Sequence, residues 1–187
     1  MTEITRAILF AVSCVFTHNF VFARMLGTGA LLDENRSIEQ SAILGLVVTV
    51  IMTVAAVVNN LIYNLLLAPL HFEYLQTVVA VLVIALAVQA AEIMLAKKCP
   101  AASHHTVILT AGCALLGASV LTAGGGLIDA LVNGLLGGLG FLIAVVLMAG
   151  VHERIRFSHI PAPMKGLPIA LVSASLMALA FMGFMGI

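Results

Sequence analysis

Charge is what this sequence has least of. Asp, Glu, Lys and Arg make up 9% of its 187 residues, where a soluble domain carries about 25%. So few charges cannot cover a folded surface that meets water on every side. The eight basic residues balance eight acidic ones. No Lys/Arg cluster runs along a helix and aromatics are few, so there is no surface to track a phosphate backbone, and nucleic acid is set aside as a partner. Cysteine is also sparse. Cys14, Cys99 and Cys113 are far apart and form no C-x-x-C pair, so they outline neither a disulfide framework nor a self-contained zinc or iron–sulfur site. Any metal centre would need ligands from a second chain.

What the sequence does contain is apolar residues, 63% of the total, arranged in long runs. A helix needs roughly 20 apolar residues to cross a bilayer core. Six stretches meet or approach that length, at about 4–26, 41–67, 74–96, 106–122, 127–151 and 167–187. They are separated by Asp33-Glu34-Asn35-Arg36, by the segment from Pro69 to Glu73, by Lys97-Lys98 through His105, by Gly124 to Gly126, and by Glu153 to Gly166 with Pro161 and Pro163. Arg6 ahead of an apolar run with Ala11-Val12-Ser13-Cys14 faintly resembles a lipoprotein signal, but the further spans make this run the first of the series. The expectation is an all-α integral membrane protein in one domain, residues 1–187, with six transmembrane helices.

Positive charge stays on the cytoplasmic side of a membrane protein. With six spans, Arg24, Arg36, Lys97, Lys98, Arg154, Arg156 and Lys165 share one side and only Arg6 lies on the other. That count predicts a multi-pass protein of the cell membrane with both termini outside the cytoplasm. The first and fourth spans place polar or small residues near their middles and end at glycines, which suggests interrupted helices. Interrupted segments at matching places in two halves are the mark of a 3+3 inverted repeat with its site near the midplane. The halves would be about 1–98 and 104–187.

Five positions could carry chemistry. His18 and Asn19 lie roughly 9 Å inside the cytoplasmic end of the first span at 1.5 Å per residue; they would either line an ion or proton route or hydrogen-bond between helices. Glu92 sits about one turn before Lys97-Lys98, where pairing along the helix or reaching water is the favoured reading over an ion pathway. Cys113 lies mid-span beside Gly112 and Ala114-Leu115, placed either to approach a metal or to act as a small hydrophobe. Gly29 enters through the family comparison below. Three further features read as structural: Asn59, Asn60, Tyr63 and Asn64 as an interfacial helix end, Gly134 and Gly138 as a close-packing G-x-x-x-G, and Met177, Phe181, Met182, Phe184 and Met185 as lipid-facing or packing residues.

Several of these stretches carry a resemblance over nearly the whole chain. Asn19-Phe20-Val21 with Leu26-Gly27, Tyr74-Leu75-Gln76-Thr77 with Val88-Gln89 and Glu92, and Cys113-Ala114-Leu115-Leu116-Gly117 all contribute. The C-terminal part is the most specific: His152-Glu153-Arg154, Ile160-Pro161-Ala162-Pro163, Lys165-Gly166, Ile169-Ala170-Leu171, and the run from Leu176 to Phe184. In these the chain resembles the A-type membrane component of the Rnf ion-translocating oxidoreductase complex and the related E-type component of the sodium-pumping NADH:quinone reductase. The resemblance implies six helices in a 3+3 inverted repeat, paired with an oppositely oriented homologue, the E-type component of an Rnf-type complex. It also implies a [2Fe–2S] cluster near the midplane, held by two cysteines from each member of the pair. The complex would pass electrons between ferredoxin and NAD and couple them to movement of Na+ or H+.

The chain departs from that pattern at one ligand. The family cysteine after Leu26-Gly27 is replaced by Gly29, the asparagine before Cys113 is Gly112, and the asparagine before Asn19 is His18. Two expectations follow. The first is a non-catalytic membrane subunit of a redox-driven, ion-translocating Rnf-type complex, with Cys113 a tentative cluster ligand and His18, Asn19 and Glu92 on an ion path. The alternative is a cofactor-free scaffold or small ion transporter built on the same frame, or the E-type component of the quinone reductase.

Overall fold

The computed structural model describes residues 19, 21–23, 26–27, 29, 37–70, 72–96, 113–117, 125–158, 161 and 164–183. Four helices dominate: α1, Ile38–Ile62; α2, Gln76–Ala96; α3, Leu127–Arg156; and α4, Leu167–Met182. There is no strand among the described residues. The expected spans at 41–67, 74–96, 127–151 and 167–187 each coincide with one of these helices, whereas most of the first and fourth spans lies outside the described residues.

Local chemistry sets the boundaries. Ser37 begins α1 with a reciprocal cap: the Gln40 N–H donates to Ser37 Oγ and the Ser37 N–H donates to Gln40 Oε1, both at 3.4 Å, satisfying two donors that helix geometry leaves open. Gly126 precedes α3, and its N–H donates to Asp129 Oδ2 at 3.3 Å. Gly166, at φ +90°, turns the chain into α4, where Pro168 occupies the first turn and its missing N–H costs nothing.

Two ends differ from the sequence expectation. The break expected from Glu153 begins only after Arg156, because α3 runs on through Glu153; its basic residues lie in the last turn, where the helix dipole favours them. Near Pro69, α1 does not stop at a break but widens into a π-helical stretch, Tyr63–Leu67, and continues through Ala68–Leu70. The Phe72 N–H bonds to the Leu67 carbonyl at 3.1 Å, five residues back. A proline clashes with the carbonyl four residues before it, and the wider turn offers a way past that clash without ending the helix.

α1 and α3 lie against each other along most of their length at a backbone distance that only small residues permit. A Cβ added at Gly138 would fall 2.7 Å from Thr49 Cα, at Gly134 3.1 Å from Thr53 Cα, and at Gly45 3.0 Å from Leu142 Cα. The glycine pair thus packs as expected from its spacing. Thr49 and Thr53 return their hydroxyls to carbonyls one turn back, those of Gly45 at 2.7 Å and Thr49 at 2.8 Å.

The outward face of α1 is more apolar than its inward face. Ile43, Leu46, Val50, Val54 and Leu61 are all more than half exposed, while Ser41, Gly45, Thr49, Asn59 and Asn60 are buried. A soluble helix shows the reverse. Ile38–Leu67 and Leu127–Arg156 are each 30 residues, long and apolar enough to cross a membrane, and Gln76–Ala90 and Leu167–Met182 are shorter apolar helices.

Candidate functional site

The described residues of the first span include three that are buried in the core, Asn19, Val21 and Phe22. Asn19 precedes a single helical turn and organises it: its Oδ1 accepts the N–H groups of Val21 at 2.9 Å and Phe22 at 3.4 Å, and its carbonyl accepts the Ala23 N–H at 2.9 Å. This is the geometry of a helix start, in which a side-chain amide oxygen satisfies open backbone donors. The other end of the same amide, Nδ2, donates to the Gly140 carbonyl of α3 at 3.0 Å. Asn19 is 1% exposed, so one side chain both caps the turn and ties it to α3. The hydrogen-bonding alternative between helices describes Asn19.

From that anchor the chain enters the core. Val21 and Phe22 are buried, and the Phe22 ring meets Phe181 of α4 with centroids 4.6 Å apart. Phe181 therefore packs inward, while Met182 is exposed. Gly27, at φ +79°, takes a backbone conformation that a side chain would strain. Just before it, Leu26 covers part of the fourth expected span: a Cβ at Gly117 would fall 2.5 Å from Leu26 Cδ1. Residues 113–117 are helical, and Ala114 and Leu115 join the cluster that holds Val21, Phe22, Val48, Met52, Phe141 and Val145. The Leu26-Gly27 and Cys113-to-Gly117 motifs are thus neighbours in the fold.

The resemblance to the family assigns cysteines to positions 29 and 113. Gly29 is helical and exposed, and Cys113 is an exposed free thiol. Cys113 stands at the surface of this chain, while its neighbours Ala114 and Leu115 are buried. The all-cysteine two-iron cluster that the resemblance implies takes four thiolates, of which this pair of positions offers one. No three His, Cys, Asp or Glu side chains come together among the described residues. The residues present do not fit a two-thiolate half-site. His18, Cys14 and Cys99 lie outside the described residues. Glu92 is in α2, with its side chain outside them.

Asn59, Asn60 and Asn64, expected as an interfacial helix end, instead build a polar cluster that the sequence reading misses. Asn59 and Asn60 are buried. Asn60 Nδ2 donates to the Gly125 carbonyl at 2.9 Å, and Asn64 Nδ2 donates to Asn60 Oδ1 at 3.0 Å. The amides thus hold the end of α1 to the glycine turn that starts α3. The available signal is spacing: residues 60 and 64 share one helix face, opposite three consecutive glycines.

These features define a helical membrane protein that exposes many apolar side chains and whose interior is joined by glycines, buried amides and an apolar cluster. The family model described as Rnf-Nqr subunit, membrane protein, matches residues 7–187, and the chain belongs to that family. It is 39% identical over 186 residues to the A-type component of the ion-translocating oxidoreductase complex of Syntrophotalea carbinolica, covering 96% of each chain. It is 36% identical to the A-type component of the Na(+)-translocating ferredoxin:NAD(+) oxidoreductase complex of Acetobacterium woodii, again over 96% of each. The corresponding component of the ion-translocating oxidoreductase complex of Azotobacter vinelandii is 36% identical, over 98% of each.

Proposed function

We propose that this chain is a membrane subunit of an Rnf-type complex, in which electron transfer between ferredoxin and NAD drives translocation of Na+ or H+. The observation that carries the reading is that the sequence stretches shared with that family, around Asn19, Leu26 and Cys113 to Gly117, meet at one place in the core. A scaffold with no shared role would have no reason to keep both interruptions and the amide that organises the first. The chain is non-catalytic alone: it provides a frame on which oppositely oriented segments meet, and partner subunits carry the redox reactions. An oppositely oriented homologue, the E-type component of such a complex, fits the exposed face at Gly29 and Cys113.

In this reading the protein spans the cell membrane six times as a 3+3 inverted repeat with both termini outside. The Asn60–Gly125 cluster then lies toward the outer surface and the basic end of α3 toward the cytoplasm, in accord with the positive-inside rule.

The test is purification through a tag on this chain, followed by ion uptake in inverted vesicles energised with reduced ferredoxin and NAD+. Co-purification of flavin- and ferredoxin-type subunits, with uptake lost when this chain is deleted, is the expected result. A stable solitary protein that transports ions by itself would overturn the reading.

A further inference from the structure

Gly29 and Cys113 disagree with the cofactor that the family resemblance implies, and the disagreement extends beyond one missing sulfur. The motif partners of both positions are in place: Leu26 covers Gly117, one helical turn beyond Cys113, and Gly27 keeps its positive φ. The scaffold around the pair is therefore retained while one ligand is absent. Both positions are exposed, and among the described residues no group of three His, Cys, Asp or Glu side chains could hold a metal. A partner supplying two thiolates would leave the cluster with three. Cys14 lies fifteen positions before Gly29, with Asn19 between them, and Cys99 adjoins Lys97-Lys98, a membrane-surface position on the charge count.

We infer that this chain does not hold half of a [2Fe–2S] cluster through positions 29 and 113, because Gly29 adds no thiolate to the single one of Cys113. The inference rests on the proposed membership of a redox-driven complex and changes this chain's part in it. Cys113 is then a surface thiol at a contact between helices, and its replacement leaves the iron of the complex untouched.

Two measurements test this on the complex purified through a tag on this chain. The first compares iron content and low-temperature EPR of the reduced complex between wild type and Cys113→Ser, with assembly checked by subunit composition. Equal iron and superimposable spectra are expected; loss of a two-iron signal from an assembled variant would overturn the inference. The second needs no variant. Native mass spectrometry of this chain with its bound membrane partner is expected to give no mass for two irons and two sulfides, and finding that mass would overturn the inference. Failure of the complex reading is separately visible as the absence of redox subunits from the preparation, and the iron and mass readouts then apply to whatever assembly the chain forms.

Discussion

Gly138→Ala puts a methyl group where α1 and α3 are closest. The added Cβ would lie 2.7 Å from both Cα and Cγ2 of Thr49 and 2.9 Å from its Cβ, against about 3.5–4.0 Å for an ordinary carbon contact. Because one of those atoms is backbone, rotating a side chain cannot relieve the overlap. The helices must separate by roughly 1 Å, loosening the neighbouring contacts at Gly134 and Gly45 as they do so. Overpacking of this kind costs about 1–3 kcal/mol. Alanine also favours a helix over glycine by up to about 1 kcal/mol, so the control must share that gain without the clash. Gly150→Ala is such a control, since a Cβ there meets nothing within 4 Å. The difference between the two variants should be about 1–3 kcal/mol, roughly 5- to 150-fold in the folding equilibrium. Reversible unfolding of the purified protein in mixed micelles measures it. A Gly138→Ala protein as stable as Gly150→Ala would refute the close crossing.

Asn19→Ala removes both the cap of its turn and the bond to Gly140, leaving buried backbone groups without their partner; a loss of about 1–3 kcal/mol and faster hydrogen exchange at the Val21 and Phe22 amides are expected, and unchanged exchange would argue against the capping role. Asn60→Leu should release the Gly125 turn, lowering stability by about 1–3 kcal/mol in the same unfolding assay; Asn64→Leu, whose amide lies at the exposed end of the cluster, should cost less, and the reverse order would count against the buried amide as the anchor. Phe181→Ala should destabilise by about 3–5 kcal/mol through loss of the Phe22 stack, whereas Met182→Ala, at an exposed position, should have little effect on thermal unfolding. Equal effects would contradict the inward placement of Phe181.

Much of the architecture is legible in the sequence because lipid imposes a simple rule, an apolar run of bilayer length between polar breaks. Helices α1 and α3 follow it in full, α2 and α4 are shorter apolar helices at the expected places, and the glycine pair at 134 and 138 announces its contact by spacing alone. The helix ends are less legible. Pro69 signals a stop, yet a π-helical widening carries the chain past it, an accommodation that depends on backbone geometry rather than composition. Glu153 and Arg154 signal a loop, yet α3 continues because charged side chains on its last turn can reach water while the backbone stays helical. The buried amides are hardest to foresee. Asn60 bonds to a residue 65 positions away and Asn19 to one 121 away, and nothing local distinguishes such an asparagine from one that simply ends a helix. Cys113 shows the same limit, since its exposure depends on which face of a short helix meets the core.

The pattern of burial also decides where stability resides. In water, burying Leu and Val would supply most of the driving force. Here the outward stripe of α1 is Ile43, Leu46, Val50 and Val54, and lipid tails are as apolar as the side chains they would be buried among, so moving such residues inward gains little. Association must instead come from close backbone approach and from hydrogen bonds that have no alternative partner in lipid, and those are the features found inside: Gly45, Gly134 and Gly138 at the crossing, and Asn19 and Asn60 at fixed carbonyls. Small changes at small or amide residues should therefore outweigh larger truncations on the outward stripe. By the same logic, a second membrane protein would bind through positions where little bulk intervenes. Gly29, exposed two residues after Gly27, is such a position.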